Sequence, residues 1–389
     1  MNSNSAGPAP LGVYIHVPFC KHACPYCDFY KIELRDRPAR DRLDFPWLLA
    51  REAALLLAAH PGLDARPLET VYLGGGTPTT LVPSAVGNLL AALAALFGGP
   101  PAEATIEANP ENLTPARARQ WRAAGFNRLS IGVQSFRPAD LALLERLHAP
   151  ETIHRAVANA REAGFDNLSL DLMFALPGQT LDDWLANLGA ALALAPQHLS
   201  FYGLTYHEGT PFDEWRRTGR LDEADDELQA AMYRAGADRL EAAGYEHYEV
   251  SNFALPGHRS RHNQRYWTRA DVLPLGPGAH GNLGALRWAN PPDIDAWAAA
   301  LRADRLPREP VETIAPDLAI AERLYALLRR REGIAAAAEP ELHARCLRWW
   351  HAQPAATRAP WATATDDQFA LRREGWLLMD AIIDAILRA

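Results

Sequence analysis

Three of the four cysteines in this 389-residue chain, Cys20, Cys24 and Cys27, follow one another with the spacing C-x3-C-x2-C. Thiolates are the usual protein ligands of a [4Fe–4S] cube, which normally takes four of them. Three leave one iron with an open coordination site, and open positions on bound metals are where chemistry is done, as at catalytic zinc. The competing chemistry is a structural zinc site with His16 or His22 as fourth ligand. Zinc sites more often pair two C-x2-C knuckles, and the sequence has no second knuckle. Cys346 stands alone, so the cysteines do not form a disulfide framework.

The elements around the cysteines read as alternating strands and helices. A β-rich run at 13–17 ends just before the cluster loop, and a second strand at 70–73 empties into Gly74-Gly75-Gly76-Thr77-Pro78. Further strands are expected at 104–107, 128–133, 167–174 and 198–205. Helix-period stretches lie between them at 45–59 and 83–97, and others begin near 115, 138, 151 and 181, with a long one over 222–243. Six strand–loop–helix units argue a parallel sheet with crossover helices. Each strand ends in polar or glycine-rich residues, and in curled parallel sheets those ends carry the site.

Composition bounds the rest. A formal net charge of −8 argues against broad binding to nucleic acid or membrane surfaces. The N-terminal residues lack the basic start and apolar run of a secretory signal, and no apolar stretch is long enough to span a bilayer. The expectation is a cytoplasmic protein of a reducing compartment, without nucleic acid and without an integral membrane span.

The motif YIHVPFC at 14–20, with GGGTPT at 74–79, IEANPE at 106–111, SIGVQSF at 130–136 and DLMFALPGQT at 171–180, resembles the radical S-adenosylmethionine (SAM) superfamily, and within it the oxygen-independent coproporphyrinogen III oxidase-like family. The resemblance implies an α/β fold: a partial (βα)6 TIM-like barrel with a small, mostly helical C-terminal domain. It also implies a [4Fe–4S] cluster on Cys20, Cys24 and Cys27, with SAM on the open iron through its amino and carboxylate groups. Gly74, Gly75, Gly76 and Thr77 match positions contacting the methionine end of SAM. Glu107, Gln134, Arg146 and Asp171 match polar positions that hold SAM, and Tyr14 matches a tyrosine beside the cluster.

One departure redirects the functional reading. The oxidases carry a fourth cysteine two residues beyond the third, where this chain has Phe29. The form C-x3-C-x2-C-x-F, with HNxxYW at His262, Asn263, Tyr266 and Trp267, is similar to the HemW-type haem chaperones of the same family. That branch implies haem bound and passed to acceptor proteins, with an electron donor such as a flavodoxin or ferredoxin. The alternative is the oxidase itself, the radical decarboxylation of coproporphyrinogen III propionates to protoporphyrinogen IX. A neutral imidazole is a common axial ligand of haem iron, so His262, read as lying in a polar loop, is the first candidate, and His280 in GPGAHG the second.

The organisation expected is a disordered tail at 1–11, a barrel core at 12–245, an extension with the HNxxYW loop at 246–315, and a small C-terminal domain at 316–389. A short strand is expected at 248–251. The segment 343–360 shows no clear period and is assigned no element.

Overall fold

The computed structural model describes residues 8–308 and 310–389. Its centre is a run of parallel strands: β1 (Leu11–Val17), β2 (Leu68–Gly75), β3 (Glu103–Ala108), β4 (Arg128–Gln134), β5 (Leu168–Phe174) and β6 (His198–Gly203), paired in that order. Between them run α1 (Ala39–Ala59), α2 (Pro83–Leu96), α3 (Pro115–Ala123), α4 (Pro138–Leu143), α5 (Pro150–Glu162) and α6 (Leu181–Ala193). α7 (Pro211–Arg217) and α8 (Asp226–Ala242) follow β6. The helix starts are written locally. Proline occupies the first turn of α2, α3, α4 and α5, where the missing N–H costs nothing. Thr180 and Asp183 close a reciprocal capping box at α6.

The sheet continues beyond this six-unit core. β9 (Val272–Leu275) lies parallel on the outer edge of β1, and β10 (His280–Leu283), β11 (Leu286–Ala289) and β12 (Glu312–Thr313) extend it antiparallel. On the far edge β8 (Asn252–Ala254) and β7 (Glu246–Glu249) are antiparallel additions. The expected strand at 248–251 is therefore a hairpin, with Val250 and Ser251 in its turn. Among the described residues the outermost strands, β12 and β7, do not pair with each other, so the barrel is open. α9 (Arg261–Trp267) and α10 (Ile294–Arg302) complete the extension.

Side chains alternate along each central strand. Leu129, Ile131 and Val133 of β4 and Leu168, Leu170 and Leu172 of β5 are buried in the core cluster that includes residues of the surrounding helices. Their alternates are polar and line up in register: Thr105 with Arg128, Glu107 with Ser130, Ser130 with Ser169, and Ser169 with His198. The face opposite the aliphatic core is thus a polar interior, which fits a ligand better than the aliphatic filling common in closed barrels.

Two readings are corrected at the periphery. Of the tail expected at 1–11, residues 1–7 lie outside the described residues. Leu11 is fully buried as the first residue of β1, and the carbonyls of Ala9 and Pro10 accept hydrogen bonds from Arg66 and Arg265. The segment left unassigned at 343–360 is largely α12 (Pro340–Ala352). Its buried Leu342, Cys346 and Trp349 follow helical spacing and join a separate core with Leu324 of α11 (Pro316–Leu328) and Ile383 of α13 (Met379–Arg388). Cys346 is fully buried there, and burial pushes its thiol up to about 12, so it is a packing residue.

Candidate cluster and cofactor site

The cysteine loop leaves β1 at Val17 and is closed at its base by a short parallel pairing of Phe19–Cys20 with Ile32–Glu33. The amide of Ile32 donates to the Pro18 carbonyl at 2.7 Å, and Ala23 N donates to Glu33 Oε1 at 2.9 Å. Within the loop Cys27 N donates back to the Cys24 carbonyl at 3.2 Å, a turn with Pro25 at its second position. His16 holds the loop from beneath. Its Nε2 is hydrogen-bonded to the Tyr30 carbonyl at 2.8 Å, and its Nδ1 to Tyr14 Oη at 3.1 Å. Tyr26 packs against Phe212 on the other flank.

The loop covers a cavity of about 160 Å³ at the C-terminal ends of the central strands. Cys20, Cys24 and Cys27 line it, together with Gly75, Gly76, Thr77, Glu107, Gln134, Arg146 and Asp171. Of the residues singled out in the sequence, Tyr14, His16, Gly74, His262, Asn263, Tyr266, Trp267 and His280 are not in the lining. Tyr14 and Gly74 stand directly behind it: Tyr14 bonds His16, and a Cβ at Gly74 would come within 2.9 Å of the Glu107 carboxylate. His262 is in a helix, α9, not in a loop, and is buried with both ring nitrogens hydrogen-bonded. It therefore offers no free nitrogen to haem iron.

The lining carries its own electrostatic logic. Arg146 Nη2 donates to Asn109 Oδ1 at 2.6 Å and to the Gly132 carbonyl at 2.8 Å, while Nη1 reaches Cys24 Sγ at 3.6 Å. Burial alone would lower its pKa, but Tyr26, Cys24 and Glu111 outweigh it and keep the guanidinium charged. Arg146 Nε is buried without a hydrogen-bond partner. Burial pushes Glu107 up to about 7 against the pull of Tyr72 Oη and Gly75 N, both of which donate to it. Burial likewise raises Asp171, which accepts from Ser130 and Ser169. The Cys20 thiol is pushed up to about 11 by burial, with the Thr77 hydroxyl partly opposing.

One lining residue, Gln134, and the residue before Arg146 have unusual backbone angles. Gln134 and Glu145 are not glycines, yet both have positive φ, 63° and 51°. At Gln134 the β4–β5 register shifts, and its Oε1 accepts from Tyr202. Gly75, at φ 102°, would place a Cβ 2.5 Å from the His16 ring, so the glycine run is required by close approach.

These residues fit a metal cluster with a polar organic partner. Among the described residues no three His, Cys, Asp or Glu side chains converge as ligands of a single metal ion. Instead three thiols rim a cavity whose deeper wall offers carboxylates, an amide and a guanidinium group, suited to an amino acid end and ribose hydroxyls. Sequence reasoning missed Tyr26, Asn109, Ser130 and Tyr202, which also line it. Asn109 lies inside the IEANPE motif, and Ser130 is one pleat from Gly132, so their positions were available.

An open parallel barrel with three cysteines rimming its C-terminal mouth defines the class. The model of the radical SAM superfamily matches residues 14–189, and that membership implies a [4Fe–4S] cluster and SAM. The Mycobacterium tuberculosis (strain ATCC 25618 / H37Rv) protein named heme chaperone HemW is 39% identical over 328 residues, covering 84% of this chain and 83% of that protein. Its Bacillus subtilis (strain 168) namesake is 34% identical over 336 residues, covering 86% and 87%. This chain belongs to the HemW family of radical SAM proteins. In structure it is similar to coproporphyrinogen III oxidase (HemN) from Escherichia coli, described as a radical SAM enzyme, with a TM-score of 0.79 at 22% identity over 97% of this chain and 90% of that one. At that identity the likeness is one of fold.

Proposed function

We propose that this chain is a haem chaperone, binding haem and handing it to acceptor proteins, with the cluster and SAM housed in the strand-end cavity. The observation that carries the reading is Phe29. It stands 59% exposed at the cavity lining, where the oxidases of the family carry a fourth cysteine. An inert ring replaces a reactive thiol, which disfavours decarboxylation of coproporphyrinogen and leaves binding and transfer as the better reading.

Cys20, Cys24 and Cys27 would hold the cluster, and Gly75, Gly76, Thr77, Glu107, Gln134, Arg146 and Asp171 would hold SAM. When bound, a cluster with SAM supplies one-electron cleavage of a carbon–sulfur bond. The protein's share is orientation and shielding: Arg146 sets positive charge against the Cys24 sulfur, and Tyr26 and Phe212 pack beside the loop. The electron donor is proposed as a flavodoxin or ferredoxin. No helix among the described residues is long and apolar enough to cross a membrane, and the cytoplasm is the proposed location.

For haem itself the favoured ligand is His280. It is exposed at the start of β10, and its imidazole has no hydrogen bond or ion pair among the described residues. It lines a groove of about 190 Å³ with Tyr266, Arg269, Arg287 and Ile314. The groove thus offers a free imidazole, an aromatic ring and two guanidinium groups, matching iron, porphyrin and propionates. Both arginines are shared with Glu322, which propionates would have to displace.

Haem titrated into the anaerobically purified, cluster-loaded chain should bind saturably, at one haem per chain by the Soret band. His280→Ala should weaken that binding by about tenfold or more, roughly 1.4 kcal/mol. Absence of saturable binding, together with a porphyrinogen product from coproporphyrinogen and SAM, would restore the oxidase reading despite Phe29.

A further inference from the structure

The HNQRYW helix contributes to a buried chain of contacts that runs toward the SAM cavity. His262 is 1% exposed; its Nδ1 lies 2.8 Å from Thr70 Oγ1 and its Nε2 lies 3.2 Å from Tyr266 Oη. Burial, with Arg265 and Arg128 nearby, pushes its pKa down to about 3, so the ring is neutral and uses one nitrogen to donate and the other to accept. Its face stacks on Tyr72, with centroids 5.1 Å apart and planes 28° apart. Tyr72 Oη in turn donates to Glu107 Oε1 at 2.8 Å, and Glu107 Oε2 accepts from Gly75 N at 3.1 Å.

The backbone ties α9 to the same strand. The amides of Arg261 and His262 each donate to one oxygen of Glu103 at 3.0 Å, and Glu103 opens β3, the strand that carries Glu107. Tyr72 and Glu107 both pack close to the Gly74 backbone. A Cβ at Gly74 would stand 2.8 Å from the Tyr72 ring and 2.9 Å from the Glu107 carboxylate, so ring, backbone and carboxylate are already in contact. In an interior of this density a shift of one member displaces the next.

We infer that His262 is a positioning residue for the SAM site: seated on Tyr72, it fixes where the Glu107 carboxylate stands at the cavity wall. The HNQRYW motif then serves the cofactor side of the protein, while haem is taken up elsewhere. The inference rests on the reading that Glu107 contacts SAM.

The test uses full-length chain with its cluster rebuilt, in three variants. Tyr72→Phe keeps the ring and removes only the hydroxyl; His262→Ala removes the stacked imidazole; Glu107→Gln removes the carboxylate charge. SAM dissociation constants are measured by calorimetry, the change in the reduced cluster's electron paramagnetic resonance spectrum on adding SAM is recorded, and haem affinity is read from the Soret band. Tyr72→Phe and His262→Ala should each weaken SAM binding, by about tenfold for the latter. Both should blunt the SAM-dependent spectral change with iron content unchanged, and Tyr72→Phe, which touches neither His280 nor Tyr266, should also leave haem affinity unchanged. A general folding defect would instead reduce iron content, and it is not expected of Tyr72→Phe. If Glu107→Gln weakens SAM binding while the other two variants do not, the carboxylate assignment stands and the positioning role is overturned. If Glu107→Gln leaves SAM binding unchanged, the assignment itself has failed and the inference falls with it. Loss of haem binding in His262→Ala at unchanged SAM affinity would return His262 to haem.

Discussion

Cys24→Ala is expected to abolish the cluster, with iron falling from about four atoms per chain to below one, and to leave haem binding at its original strength. Three thiols are the minimum the cavity offers. Cys24 lies on the turn of the loop, partly exposed, and its sulfur meets Arg146 rather than the hydrophobic core. Cys24 belongs to no hydrophobic core cluster, so loss of iron with the fold retained, read by circular dichroism, would report ligation and not unfolding. The proposed haem groove, with His280 and Tyr266, shares no lining residue with the cavity. Iron and acid-labile sulfide analysis, beside a haem titration of the same sample, checks both halves. Loss of haem binding along with the cluster would mean that the two sites are one.

The second large effect is expected where no cysteine is touched. Gly76→Ala should reduce cluster incorporation by about tenfold and lower stability by about 1–3 kcal/mol. A Cβ there would stand 2.8 Å from the Val17 carbonyl oxygen and 2.9 Å from both Cys20 Sγ and the Pro18 carbonyl carbon. Two of those atoms belong to backbone, which cannot swing aside as a side chain does. The same strand end is laced to the cysteine loop by Gly76 N to the Val17 carbonyl and Thr77 N to the Phe19 carbonyl, each 2.8 Å. The added methyl group must therefore push Cys20 out of place. Gly189→Ala is the matched control. It lies inside α6 with nothing nearer than Arg239 at 3.6 Å, so it should be neutral or slightly stabilising. Full cluster content in Gly76→Ala, read by iron analysis and thermal unfolding under nitrogen, would contradict the close-approach account.

Legibility in the sequence followed the length scale of the information. The cysteine spacing and the glycine run are local, so Cys20, Cys24, Cys27, Gly75 and Gly76 were found and do line one cavity. Strand–helix alternation is likewise local, and the six central units followed from it. The loop expected around His262 is a helix, and its burial was not legible because a histidine among polar residues looks the same in sequence whether it faces solvent or a buried threonine. Only the fold sets Thr70 and Tyr72 against it, some 190 positions away. The helical start at Ser260, whose side chain accepts from Asn263 N, was a cap that could have been recognised. Alternation in β4 and β5 was also a usable signal. Arg128, Ser130 and Gly132 alternate with Leu129, Ile131 and Val133, whereas parallel strands covered on both faces usually read as continuous apolar runs. A period of two on a parallel strand marks a polar interior, and it would have pointed to Ser130 before the structure did.

Transfer of haem is measured by mixing the cluster-loaded, haem-loaded chain with an apo-form of a haem protein under anaerobic conditions. The shift of the Soret band from donor to acceptor is followed with and without SAM and reductant. Haem should leave this chain and appear on the acceptor, while coproporphyrinogen supplied in its place with SAM should be returned unchanged. Haem that never leaves, with coproporphyrinogen converted to protoporphyrinogen, would contradict transfer and make the chain an oxidase.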